Sequence, residues 1–256
     1  MRCLRVLSKN ELEELAKSSG LKLHQQEKDY MQMIVLYHIY RKIAKELVFK
    51  GGTALEKVYG LNRFSEDLDF TKNGEVDIGE VLERALAGIR NYGIDCRLKK
   101  EKPRFEFSEK YKLAAKGPLY EGETSRVFVR IEISGREKPI LEADTMNIFP
   151  AYRDIPNFSL AAMPLKEIAA EKVRAVFSRD KPRDVYDLWF ILNKGAGIDY
   201  GMIDAKLQYY GISYSYKEFS ENIEASRKAW EKELSLLLPE APDFEKIKEY
   251  IFQKFK

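Results

Sequence analysis

The chain has 256 residues, 45% of them hydrophobic, and 44 basic against 41 acidic side chains, for a net charge of +3. That suffices for one large core or two modest ones and excludes compositional disorder, while the near balance of charge excludes a polycation, so any nucleic-acid contact has to come from a local patch. His24 and His38, with Cys3 and Cys96, are too few for a zinc constellation, a Ser-His-Asp arrangement or a disulfide framework; no run approaches the ~20 apolar residues of a membrane span, and MRCLRVLSKNELEELAK lacks a signal-peptide core, so a soluble cytoplasmic protein is expected.

In chain order, Leu36, Ile39, Tyr40, Ile43 and Leu47 follow helical spacing and predict an amphipathic helix over residues 26–46. Leu47, Val48 and Phe49 read as a short apolar strand, and Gly51 and Gly52 permit a tight turn. Thr53, with Glu56 three positions on, has the form of a capping box, so a helix is expected to start at Thr53 and to end near Gly60. Free backbone N–H groups at such a helix start suit phosphate, and Arg63 and Ser65 follow as further donors.

Leu68 and Phe70 alternate with Asp67 and Asp69, which places both aspartates on one face of a half-buried strand. Two carboxylates about 4 Å apart repel by roughly 4 kcal/mol at an effective dielectric of ~20, a conflict that a bound Mg²⁺ removes. An exposed acidic turn is the plainer reading of Asp-x-Asp.

A helix is predicted over residues 78–91, followed by Gly93, and strands over 94–98 and 104–107 around the basic run Lys99, Lys100, Lys102, Arg104. Such a run forms a solvated hairpin or, alternatively, a nucleic-acid contact. Residues 126–134, RVFVRIEIS, show the clearest strand alternation, with Val127, Val129, Ile131 and Ile133 on one face and Glu132 on the other. Glu132 could pair across a sheet with a lysine or arginine. Residues 135–164 read as irregular because of their prolines; after Pro164 the pattern turns helical, carrying Lys172 next to an apolar face. A helix over 183–192 bears Asp184 and Asp187 on one side, and two or three more follow, including 225–238 and 244–255.

The order strand, Gly-Gly, helix, Asp-x-Asp resembles the nucleotidyltransferases of the DNA polymerase β superfamily. GGTAL with RFSEDLDF, and later AEKVRAVFSRDKPRDVYDLWF, resemble the AbiEii/AbiGii-type nucleotidyltransferase toxins. The resemblance implies an α+β fold, a nucleotidyltransferase-like mixed sheet flanked by helices, with residues 1–150 as the core lobe and 151–256 as a helical lobe completing an active-site cleft. It also implies transfer of NMP from an NTP to an RNA end (tRNA-like) or a protein hydroxyl, in a toxin countered by a separately encoded antitoxin.

By that resemblance Asp67, Asp69 and Glu132 hold Mg²⁺ or Mn²⁺. Gly51, Gly52, Thr53, Arg63, Ser65 and Lys172 bind the nucleotide, and Asp184 and Asp187 orient Lys172 or assist catalysis. A catalytically silent nucleotide- or RNA-binding regulatory module is the alternative.

Overall fold

The alternation of residues 126–134 is realised as an inner strand of a seven-stranded mixed sheet. The computed structural model describes residues 6–103 and 106–255, so Cys3, Arg104 and Phe105 lie outside the described residues. Among these, α1 (Lys9–Ser19) and α2 (Leu23–Tyr40) precede β1 (Leu47–Lys50), α3 (Gly51–Lys57), β2 (Asp67–Lys72) and α4 (Ile78–Asn91). Then come β3 (Cys96–Glu101), β4 (Ser108–Ala115), β5 (Val127–Ser134), β6 (Asp144–Ile148) and β7 (Phe158–Ala162). Helices α5 (Leu165–Ser178), α6 (Pro182–Asn193), α7 (Tyr200–Gln208), α8 (Tyr216–Ala225), α9 (Trp230–Leu234) and α10 (Phe244–Phe255) complete it. The fold class is α+β, as expected.

The strand order is β3-β4-β5-β2-β1-β7-β6. The central pairs β2/β5 and β1/β7 are parallel; the others are antiparallel. Val127, Val129, Ile131 and Ile133 of β5 and Leu68 and Phe70 of β2 are buried, which leaves their alternating neighbours on the opposite face.

Several elements depart from the sequence expectations. Helix α2 stops at Tyr40 rather than at residue 46, because the Tyr40 hydroxyl is turned to the Leu47 carbonyl (2.8 Å) and Leu47 itself opens β1. Of the strand expected at 104–107, residues 104 and 105 lie outside the described residues, 106 and 107 form a turn, and β4 begins at Ser108. Residues 135–164 hold β6 and β7 despite their prolines. The helix expected over 225–238 is broken into a 3₁₀ turn, Ser226–Ala229, and α9. Both histidines lie on α2; His38 is buried with its ring edge-on to Tyr92, and burial, then Arg41 and Lys42, push its pKa down to about 4.

The described chain partitions into two compact units whose segments interleave in sequence. The first comprises residues 1–58, 64–138 and 143–162 and contains the sheet; the second comprises 59–63, 139–142 and 163–256. In the second, Glu167 is buried and accepts hydrogen bonds from the backbone N–H groups of Ile140 and Leu141 (2.9 Å each), while Lys206 reaches it at 2.7 Å. That carboxylate therefore fastens segment 139–142 to α5.

Candidate functional site

In the first unit, β2 carries Asp67 and Asp69 on the face opposite the buried Leu68 and Phe70. The parallel register with β5 sets Asp67 beside Arg130 and Asp69 beside Glu132, and the antiparallel register with β1 sets Lys50 beside Asp69. Gly51 follows at φ +74°, and a Cβ built there would lie 2.6 Å from Asp69 Oδ2. Glycine is therefore required twice over, by the left-handed backbone and by the approach of that carboxylate.

Helix α3 begins at Gly51, not Thr53, with Lys50 as an N-cap that makes no side-chain cap. The expected capping box is accordingly absent, and its two residues serve elsewhere. The buried Thr53 hydroxyl donates to the Asp67 carbonyl and lies 2.8 Å from Ser65 Oγ, while Glu56 Oε2 accepts from the Ser65 backbone N–H at 2.9 Å. From α2, Gln32 Nε2 donates to the Ser65 carbonyl at 2.9 Å. Three side chains thus pin the segment that delivers Asp67.

Asp67 has an oxygen that the fold leaves unanswered. Asp67 Oδ1 is buried without a hydrogen-bond partner, and its nearest ion-pair partner, Arg130 Nη1, is 3.8 Å away. Burial raises the Asp67 pKa above the usual aspartate range; Arg130 and Lys28 oppose this and Glu132 and Glu66 add to it. A buried hard oxygen without a donor, beside a second carboxylate, fits a divalent metal. Glu132 is engaged by Lys110, its cross-strand neighbour, at 2.6 Å. Among the described residues no three His, Cys, Asp or Glu side chains converge on one point, and Glu132 is held by Lys110 rather than by the aspartates' site.

In the second unit, α5 and α6 bring together a different set. Lys172 Nζ lies 2.9 Å from Asp184 Oδ1 and 2.6 Å from Asp187 Oδ2. Arg63 forks onto Asp187, Nε to Oδ1 at 2.6 Å and Nη2 to Oδ2 at 2.7 Å, and Arg179 forks onto Asp184 at 2.7 and 2.9 Å. Both aspartates are fully buried. Burial alone would raise their pKa values, but Lys172 and Arg179 at Asp184, and Arg63 and Lys172 at Asp187, hold them below the usual carboxylate range.

The structure thus gathers Gly51, Gly52, Thr53, Ser65, Asp67, Asp69 and Glu132 in the first unit and Arg63, Lys172, Asp184 and Asp187 in the second. The lysine or arginine expected opposite Glu132 is Lys110, and the parts of Arg130 at Asp67 and Arg179 at Asp184 were not foreseen. Arg130 alternates in phase with Glu132 on β5, and Lys110 lies opposite Glu132 once the strands are paired.

Residues 34–251 match the profile of the AbiEii nucleotidyl transferase toxins of type IV toxin–antitoxin systems. The chain belongs to the AbiEii family. It is a nucleotidyltransferase toxin of that class, which implies an NTP substrate and an antitoxin. No curated protein matches this AbiEii sequence.

Among solved structures, MenT4, a nucleotidyltransferase toxin of Mycobacterium tuberculosis, is 20% identical with a TM-score of 0.68, covering 97% of this chain and 88% of its own. JHP933 of Helicobacter pylori is 23% identical (TM-score 0.57; 90% and 88% coverage). A further H. pylori protein assigned as a nucleotidyltransferase is 24% identical (TM-score 0.58; 88% and 89%). These likenesses establish that the AbiEii chain shares their fold. Among the described residues no helix is long and apolar enough to cross a membrane.

Proposed function

We propose that this AbiEii chain transfers NMP from an NTP to a hydroxyl at an RNA end, tRNA-like, or on a protein, and that Asp67, Asp69 and Glu132 form the acidic set of that reaction. The observation that carries the reading is Asp67 Oδ1, buried without a donor on the strand face shared by Asp69 and continued in register by Glu132. Asp67 and Asp69 would hold Mg²⁺ or Mn²⁺, with Glu132 as the third carboxylate; when bound, the metal supplies positive charge against the triphosphate.

The chain's own part is positional. Thr53, Glu56 and Gln32 fix the Ser65–Asp67 segment. The backbone at Gly51, Gly52 and Thr53, where no side chain caps the helix, receives phosphate oxygens. Lys172, with Arg63, contributes to nucleotide binding, and Asp184 and Asp187 orient those cations. The acceptor hydroxyl oxygen forms a bond to the α-phosphorus as the bond to the pyrophosphate oxygen breaks, and its proton would pass to Glu132 once that carboxylate parts from Lys110. Pyrophosphate leaves.

The test is incubation with Mg²⁺, each labelled NTP in turn, and total RNA or total protein. Label on RNA or on protein is the expected result and identifies the acceptor; no transfer under any NTP or metal, with nucleotide binding intact, would sink the reading. Growth arrest on expression, relieved by a separately encoded antitoxin, is the cellular counterpart.

A further inference from the structure

The side of the sheet that carries the aspartates does not end with them. Through β5, β4 and β3 the same face bears Arg130, then Lys110 and Lys112, then Arg97 and Lys99; in register Arg130 meets Lys112 and Lys112 meets Lys99, while Lys110 lies between Glu101 and Glu132 and Arg97 beside Ala114. Against these five cations the same face of the three strands offers two carboxylates, Glu101 and Glu132. The chain as a whole is nearly neutral, with 44 basic and 41 acidic residues, so this is a local concentration and not a sample of the bulk.

Strand alternation also divides the basic run of the sequence. Lys99 stays on the aspartate-bearing face, whereas Lys100 turns to the other, where it pairs with Glu109 at 2.6 Å. Lysines are common on edge strands because they discourage edge pairing. That explains Lys99 on β3, and Glu132 at 2.6 Å explains Lys110, but neither accounts for Lys112 on β4 or Arg130 on β5, which are inner strands.

The geometry points to this face of β3–β4–β5 as the docking surface for the phosphate backbone of an RNA acceptor, leading to Asp67 and Asp69 one strand further on. Its role in supplying the acceptor rests on the transferase reading; the binding itself does not. Cations two residues apart on a strand are separated by about 6.8 Å, and adjacent strands by about 4.8 Å, which gives a regular grid of charge for a polyanion. Arg97, whose Nη2 stands 3.4 Å from the exposed Glu123, is 67% exposed at its side chain, and Lys99 is exposed. Phe128 lies on the same face with 37% exposure, and Lys112 Nζ stands 3.9 Å from its ring centroid. An exposed ring beside a cation suits an unpaired base, because stacking and phosphate contact can then be made together. This favours nucleic acid over an acidic protein, which would use the charges and leave the ring without a role.

The experiment measures anisotropy of two labelled RNAs, a single strand and a hairpin, without NTP, over about 50 to 400 mM salt. The variant is Arg97→Gln/Lys99→Gln/Lys112→Gln, with NTP binding measured in parallel. Wild type is expected to bind both RNAs with a steep salt dependence. The triple variant is expected to lose about 100-fold in affinity at ~0.1 M salt and about 2 to 3 units of log–log slope, with NTP binding unchanged.

Phe128→Ala should weaken the single strand more than the hairpin. Should the triple variant misfold, the single Lys99→Gln and Lys112→Gln variants are each expected to lose about 0.7 to 0.9 of slope. The surface is overturned if wild type binds neither RNA, or if the variants bind RNA as wild type does. It is equally overturned if they lose only the binding of a poly-glutamate probe, which would make it a protein site. RNA binding through this face with no nucleotidyl transfer would sink the transferase reading and leave the surface standing.

Discussion

Asp67 in the first unit and the pair Asp184 and Asp187 in the second receive opposite electrostatic treatment. Asp67 has a buried oxygen with no donor, and burial raises its pKa. Asp184 and Asp187 are buried more completely, yet Lys172, Arg63 and Arg179 surround them at 2.6 to 2.9 Å and depress theirs. The same side chain is thus left short of positive charge in one place and supplied with it in the other. An unmatched carboxylate invites an external cation, whereas a matched one holds structure or orients its partners.

The comparison can be broken most directly at Asp69. Asp69→Asn is expected to lower transfer by about 10² to 10³ or more while leaving the unfolding midpoint unchanged, because it removes charge where catalysis is mostly electrostatic. Near-wild-type transfer of labelled nucleotide would remove Asp69 from the site.

Next in size is a contrast in stability. Asp187→Ala strands Arg63 and Lys172 inside the second unit and should cost about 3 to 5 kcal/mol in denaturant unfolding. Asp67→Asn should cost nothing or stabilise slightly, since its ionised form is already disfavoured by burial. Equal losses from the two substitutions would erase the distinction. Lys172→Ala should weaken nucleotide binding in an NTP titration, whereas Lys172→Arg should retain part of it; an unchanged titration for Lys172→Ala would make the lysine purely structural.

The smallest effect is in pH dependence, and it differs in sign. Depressed Asp184 and Asp187 contribute stability that is full above the unfolded value near 3.9 and lost as pH falls through their folded values. Asp67, raised, contributes in the other direction: its share is present below about 3.9 and lost as pH rises through its folded value. His38, held down to about 4, adds stability that is full above about 6.5 and lost as pH falls towards 4. Differences between wild type and Asp67→Asn or Asp187→Asn, measured by urea midpoints from about pH 3 to 7, therefore isolate the aspartates from His38. Slopes of the same sign for both variants would contradict the assignment.

What could be read in advance follows from how local the cause is. Helix α4 was legible to the residue, Ile78–Asn91, because Val81, Leu82, Ala85 and Ile89 make its apolar face by themselves. β5 was legible because RVFVRIEIS alternates without interruption. β4, SEKYKLAA, was not, since its charges mask the pattern and it is held by pairing on both sides, with β3 and β5. β7 pairs with its neighbour β6 along its length and joins the rest of the sheet only where Ala162 meets Phe49, more than a hundred residues upstream.

The site divides in the same way. Asp67 and Asp69 announce themselves by spacing, and Gly51 by its turn. Thr53 and Glu56 were misread because the capping-box spacing is also the spacing that sends both side chains to Ser65 and Asp67. No local signal joins Arg63 to Asp187 across 124 positions.

That last separation has a consequence for the order in which the molecule can be finished. On a ribosome adding about 5–20 residues per second, Arg63 emerges roughly 6–25 s before the aspartate it will clasp. The sheet, by contrast, is complete once β7 is out at Ala162. The second unit is assembled from two early segments and one late one, so a fragment cut at residue 163 would lack both Arg63 and segment 139–142. Growth from the N-terminus, with the early segments waiting, is the natural route for this chain, and expression of the helical part alone should not reproduce it.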